Sequence, residues 1–104
     1  FVSVEKDEIS IPNNFLVSPN YPNPFNPSTT LDIHTNINGK LVVSIFDVSG
    51  RLINTLMNNE LPAGRYKVSW NGENAIGDIM PTGVYLIKVV SSDKVHLQKV
   101  MLIK

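Results

Sequence analysis

The 104-residue chain contains no cysteine. That absence removes a disulfide framework, thiolate metal ligation and thiol nucleophiles, and it leaves the redox compartment undecided. An excess of charge is also missing. Nine Lys and Arg balance nine Asp and Glu, with no basic run, so no overall field attracts a polyanion such as nucleic acid. Apolar runs never approach the roughly 18 residues of a membrane span, and the apolar stretches are strand-sized. The first residues, "FVSVEKDEIS", lack a basic patch followed by an apolar core and are not expected to be a secretory signal peptide; if the chain is a fragment of a longer protein, any such signal is expected upstream. Amphipathic helical periodicity is absent as well.

The usual elements of catalysis are scarce. There is no Gly-x-Ser-x-Gly elbow, and His34 and His96 each stand singly within strand patterns, at positions expected to face solvent. No histidine pair has metal-ligand spacing, and no glycine pattern cradles phosphate. The expectation is a protein that is not an enzyme and carries no cofactor. Asn71, Glu73, Asn74 and Asp78, set around Gly72 and Gly77, form the one loop whose oxygens would suit calcium, although turn chemistry alone gives the same composition. Trp70 and Tyr85 raise the alternative of an aromatic sugar platform, but Trp70 belongs to an inward alternation set that suits a core.

What the chain does have is alternation. In "TTLDIHTNI", Leu31, Ile33, Thr35 and Ile37 share one face and Thr30, Asp32, His34 and Asn36 the other, the period of a half-buried strand. Asn38-Gly39 follows, a strong signal for a two-residue type I′ hairpin into "KLVVSIFDV". Ser49-Gly50 turns the chain into "RLINTLM". A Pro-Ala-Gly turn then precedes a segment in which Tyr66, Val68 and Trp70 point inward while Arg65, Lys67 and Ser69 point outward. "VYLIKVV", apolar on both faces, suits a central strand, and Ser91 to Asp93 turns into the last strand, Lys94 to Lys104. There Val95, Leu97, Met101 and Ile103 share one face, and His96, Gln98, Val100 and Leu102 the other. About seven short strands without helices predict an all-β, immunoglobulin-like antiparallel sandwich over residues 15–104, with residues 1–14 as a linker from an upstream domain.

One stretch breaks the pattern. "YPNPFNPST", Tyr21 to Thr29, holds Pro22, Pro24 and Pro27, each lacking a ladder donor and each restricting the residue before it. It cannot be a central strand. The expectation is a stiff segment along a sheet edge, with Tyr21 and Phe25 over the core, clamping the sandwich and blocking edge-to-edge pairing.

"NYPNPFNPSTTL", followed in order by "VSIFDVSGRLINTL", "LPAGRYKVSWNGENAIGD", "TGVYLIKV" and "KVMLIK", resembles the C-terminal sorting domain of type IX secretion cargo from Ile11 onward. The resemblance implies a seven-stranded sandwich at the end of a secreted protein. Such a domain is read by the type IX translocon at the outer membrane and then removed, or used for surface attachment, by a sortase-like peptidase. It places the family's proline motif on Tyr21, Pro22, Asn23, Pro24, Phe25, Asn26 and Pro27, and its turns on Asp47, Gly50, Arg51 and Gly64. The Gly-Val-Tyr block falls on Gly83 to Tyr85, and the export signal on Lys99, Val100, Met101, Leu102, Ile103 and Lys104. Partners implied are the translocon, the peptidase and the linked cargo, with a secreted or surface location. "WNGENAIGD" is also similar to the immunoglobulin-like domain of flagellar hook-capping proteins, which leaves an assembly role open beside a carbohydrate-binding or adhesive one.

Overall fold

Each alternating segment becomes a strand. A computed structural model describes residues 15–92 and 94–103; the linker expected over residues 1–14, Asp93 and Lys104 lie outside them. The strands are β1 (Phe15–Val17), β2 (Thr29–Thr35), β3 (Gly39–Asp47), β4 (Leu52–Leu61), β5 (Gly64–Trp70), β6 (Gly83–Ser91) and β7 (Lys94–Leu102). They form a three-stranded sheet, β1-β2-β5, and a four-stranded sheet, β4-β3-β6-β7, in which all neighbours are antiparallel. Among the described residues there is no helix, and so none long and apolar enough to cross a membrane.

The period of two places the core between the sheets. Leu31 and Ile33 of β2, Val68 and Trp70 of β5, Val43 and Ile45 of β3 and Ile87 and Val89 of β6 are all buried. Each such side chain contributes about 1.5–3 kcal/mol relative to an exposed position. The inward Tyr66, Val68 and Trp70 set stands, with Tyr66 only partly covered. β6 alternates buried with half-buried positions because it lies between β3 and β7, as its two-sided apolarity predicts.

The Asn38-Gly39 hairpin is not formed. β2 and β3 belong to different sheets, so this connection crosses the sandwich instead of reversing within one ladder. Gly39 has φ of +151°, Asn38 is not in the positive-φ region, and the Asn38 Oδ1 accepts the Ala63 N–H at 2.8 Å. Asn38 thereby ties its own crossing to the Leu61–Gly64 crossing between β4 and β5, a long-range partner that local turn rules do not contain. The hairpins at Asp47–Leu52 and Ser91–Lys94 do form, the second with Ser92 at φ +56°.

Two tyrosines repeat one device. In Pro62-Ala63-Gly64-Arg65-Tyr66 and Pro81-Thr82-Gly83-Val84-Tyr85 the phenol reaches back four residues to donate to the proline carbonyl, at 2.5 and 2.6 Å. A tyrosine hydroxyl pinned to upstream backbone fixes the corner by which a strand enters its sheet. The spacing Pro-x-Gly-x-Tyr is visible twice in the sequence, and it was the signal available for these corners.

Candidate functional site

The proline segment and the terminal strand, with Asn23 and Lys99 76 positions apart, lie side by side. Up to Tyr21 the chain still belongs to the three-stranded sheet: Tyr21 N–H donates to the Thr30 carbonyl at 2.8 Å, and Thr30 N–H returns a bond at 2.9 Å. Four residues later the chain has changed sheets. Phe25 runs parallel to Leu102, its N–H donating to the Met101 carbonyl at 2.9 Å and its carbonyl accepting the Ile103 N–H at 3.1 Å. Between them Pro22 and Pro24 have no N–H to give. The Asn23 amide substitutes for main chain, since its Oδ1 accepts the Met101 N–H at 3.0 Å and its Nδ2 donates to the Lys99 carbonyl at 3.3 Å. The peptide bonds before Pro22, Pro24 and Pro27 are cis.

The clamp is carried by Phe25 and not by Tyr21. Phe25 is 1% exposed, with its ring centroid 5.4 Å from that of Trp70, which in turn lies 5.2 Å from that of Tyr85. Tyr21, expected over the core, is 81% exposed. Its backbone pairing with Thr30, a neighbour of the inward Leu31, puts its side chain on the outer face. Behind the segment, buried Asn20 donates to Thr29 Oγ1 (3.1 Å) and accepts from Gln98 Nε2 (3.0 Å), while Thr29 Oγ1 donates to the Pro22 carbonyl at 2.7 Å. Sequence reasoning did not single out these three residues. Polar side chains flanking the prolines were the only signal.

The terminal block divides by parity. Val100 and Leu102 are core residues, whereas Lys99, Met101 and Ile103 are exposed; Lys104 lies outside the described residues. Gly83 pairs with Leu102, and Tyr85 with both Val100 and Asp47, so the Gly-Val-Tyr and Asp-Gly-Arg motifs meet the terminal strand at one end of the sandwich. Gly64, opposite Thr35, is at the other end. Asn26 and Pro27 are exposed beyond Phe25.

Asp47 closes the β3–β4 hairpin. Its Oδ1 accepts from the Ser49 hydroxyl (2.7 Å), the Arg51 N–H (2.9 Å) and the Ser49 N–H (3.0 Å), and its Oδ2 meets Arg51 Nε at 3.2 Å. The Ser49 hydroxyl bond leads in holding its pKa down at about 2, followed by the Arg51 N–H. The Tyr85 phenol is shifted up, first by burial and then by the Asp47 charge. A carboxyl whose folded pKa is depressed stabilises the fold above its unfolded pKa, and that contribution is lost as pH falls through the folded value. Asp47→Asn is therefore expected to lower the urea midpoint at pH 7. The gap from the parent should close between about pH 4 and pH 2, and a gap constant with pH would refute the assignment.

An open groove of about 450 Å³ adjoins this hairpin, lined by Asp47, Arg51, Ile53, Met80 and Tyr85 among others. Another recess, of about 490 Å³, lies away from it on the three-stranded sheet, beside the exposed Lys67–Asp32 pair at 3.0 Å. Among the described residues no group of three or more His, Cys, Asp or Glu is placed to hold a metal. In the loop weighed for calcium, Asn74 Oδ1 accepts the Ile76 and Asp78 N–H groups, and the Glu73 carbonyl accepts Trp70 Nε1 and Asn54 Nδ2. Trp70 and Tyr85, 1% and 5% exposed, offer no sugar platform. His34 is exposed as expected, but His96 is half-buried, 2.8 Å from Gln98 Oε1, because it shares the inner parity of β7.

The sequence profile of the FlgD Ig-like domain matches residues 26–94, well over half of the chain. The chain belongs to this family. The family's Trp-Asn-Gly segment has a structural account here: Trp70 anchors the loop through Glu73, and Gly72 adopts φ +80° against Leu102 and Phe25. Over 54 residues, 52% of the chain, it is 35% identical to the basal-body rod modification protein FlgD of Salmonella typhimurium, of which it covers 23%. PorZ of Porphyromonas gingivalis, described as an essential surface component of the type-IX secretion system, matches 86% of the chain with TM-score 0.55 and 27% identity. Dimeric latent PorU of the same organism matches 96% with TM-score 0.64 and 20% identity, a likeness of fold alone. The chain spans about a tenth of either protein, 11% of PorZ and 10% of PorU.

Proposed function

We propose that this domain is a non-catalytic secretion signal that directs a linked upstream cargo across the outer membrane through a type IX system. A sortase-like peptidase then removes it or uses it for surface attachment. The reading is carried by one observation: the proline motif and the terminal block, the two ends of the sorting-domain resemblance, form a single hydrogen-bonded unit. The likeness to PorZ supports the link to that system. Lys99, Met101 and Ile103 face outward from this unit, so a translocon can read them on the folded domain. The product is secreted or surface-bound cargo.

The test is delivery of a signal-peptide-bearing fluorescent protein fused ahead of the chain in a type IX-competent host. Lys99→Ala with Lys104→Ala should leave thermal stability nearly unchanged, since the exposed Lys99 charge contributes little, yet should reduce surface fluorescence. Normal delivery by the stable double variant would remove the export role from these lysines. Deleting Val100 to Lys104 is uninformative, since it takes Val100 and Leu102 out of the core.

A hook-capping assembly role is the second reading, favoured by the 35% identity to FlgD. Restored motility when the chain replaces the matching segment of FlgD in a flagellated host, with no delivery in the export assay, would favour it.

A further inference from the structure

A sandwich of two open sheets has four edge strands, and three are visibly blunted against pairing with another chain. β1 is only three residues long, β5 carries Arg65 and Lys67 on its solvent face, and the β3–β4 ladder is broken by two register shifts. β7 is protected over half its length. From the Lys99 carbonyl to the Ile103 N–H its outward backbone groups are taken by Asn23 and Phe25. Those bonds show that odd-numbered residues of β7 aim their N–H and C=O away from β6. By the same alternation Val95 and Leu97 present theirs to the open side, where no described residue bonds them. The cover ends at Gln98, whose side chain donates to the Ser18 carbonyl and Asn20.

The side chains make this open half unlike a blunted edge. Val95 and Leu97 are each 58% exposed, and Lys88 and Lys99 bracket Leu97 on the outer face, Lys88 directly across in register and Lys99 two residues along. Every outer-face side chain of β6 and β7, from Val84 to Val90 and from Val95 to Ile103, is apolar or a lysine; none is acidic. An added strand meets free donors and acceptors, apolar neighbours and positive charge.

We propose that the Val95–Leu97 stretch of β7 is a docking edge that takes, as a fifth strand of the four-stranded sheet, an extended partner segment whose alternate residues put apolar side chains and then a carboxylate on one face. Main-chain bonds to Val95 and Leu97 hold the segment; on the outer face its apolar residues cover those side chains, and the carboxylate two residues along meets Lys99. The proposal is independent of the export reading, because its test uses the isolated chain.

The test titrates the full chain with a capped heptapeptide that carries Val, Val and Glu at alternate positions with Thr between and around them, and with the counterpart that has Lys in place of Glu, following backbone amide signals by NMR. Saturable shifts centred on Val95 and Leu97 are expected for the acidic peptide, with affinity at least about tenfold above that of the basic one. Leu97→Pro removes an outward N–H without breaking a bond to β6, and should weaken binding about tenfold or more while the remaining spectrum stays folded. Lys99→Glu should reverse the preference between the peptides. Equal binding of both, or shifts centred elsewhere, would overturn the proposal. So would slow hydrogen exchange at Val95 and Leu97 in the peptide-free chain, because self-association or residues 1–14 would then already fill the edge.

Discussion

Phe25→Ala is expected to lower the stability of the domain by about 3–5 kcal/mol, the range for truncating a fully buried aromatic residue. At roughly 4–8 °C per kcal/mol for a domain near this size, the thermal midpoint should fall by more than about 10 °C. The ring is 1% exposed and stacks at a tilt on Trp70, so its removal leaves a cavity where the two sheets meet the loop after β5. A second effect separates this site from an ordinary core position. Phe25 is also the residue whose N–H and carbonyl hold Met101 and Ile103, and the ring anchors those bonds. Hydrogen exchange at Ile103 should therefore accelerate beyond the global loss of stability, whereas Val68→Ala, in the same core, should not single out that amide. An unchanged midpoint would mean that the proline segment does not hold the sandwich closed.

The contrast with Tyr21 shows what the amino-acid order encodes. Both aromatic residues sit in one proline-rich stretch, and from composition alone both read as anchors. Only one is. The choice depends on where the chain changes sheets, and that point is fixed by Tyr21 pairing with Thr30 and by Asn23 bonding Lys99 and Met101, partners more than seventy residues away for the second pair. Strand faces were legible because a period of two is local: Leu31, Ile33, Val68, Trp70, Val100 and Leu102 all point as their alternation predicts. Asn38-Gly39 was misread for the converse reason, since the dipeptide specifies a turn only if the flanking strands are partners, and sheet partnership is not local. The exposed half of the candidate site, Lys99, Met101 and Ile103, follows from parity, but its shared edge with the proline motif does not.

Gly72→Val is expected to cost more than any other substitution at a glycine of the described fold, and a matched glycine lets its two causes be separated. Gly72 and Gly50 both have φ near +90°, at +80° and +92°, a conformation that penalises any residue bearing a Cβ by about 1–2 kcal/mol and a β-branched one most. Their surroundings differ. A Cβ on Gly50 meets nothing within 4 Å, whereas one on Gly72 touches Leu102 Cδ2 at 3.4 Å, Leu102 Cδ1 at 3.5 Å and Phe25 Cε2 at 3.8 Å. Alanine at Gly72 thus fits in contact, and Gly72→Ala should differ little from Gly50→Ala in urea unfolding. The two further methyl groups of valine extend from a Cβ already in contact with Leu102 and Phe25, and displacing either is expected to carry a cost typical of overpacking, about 1–3 kcal/mol beyond Gly50→Val. Because Leu102 and Phe25 are the paired residues of the β7 edge, the displaced variant should also lose protection at the Ile103 amide. Equal destabilisation by Gly72→Val and Gly50→Val would show that this glycine is required for its backbone angle alone, and that the loop after Trp70 does not support the terminal strand.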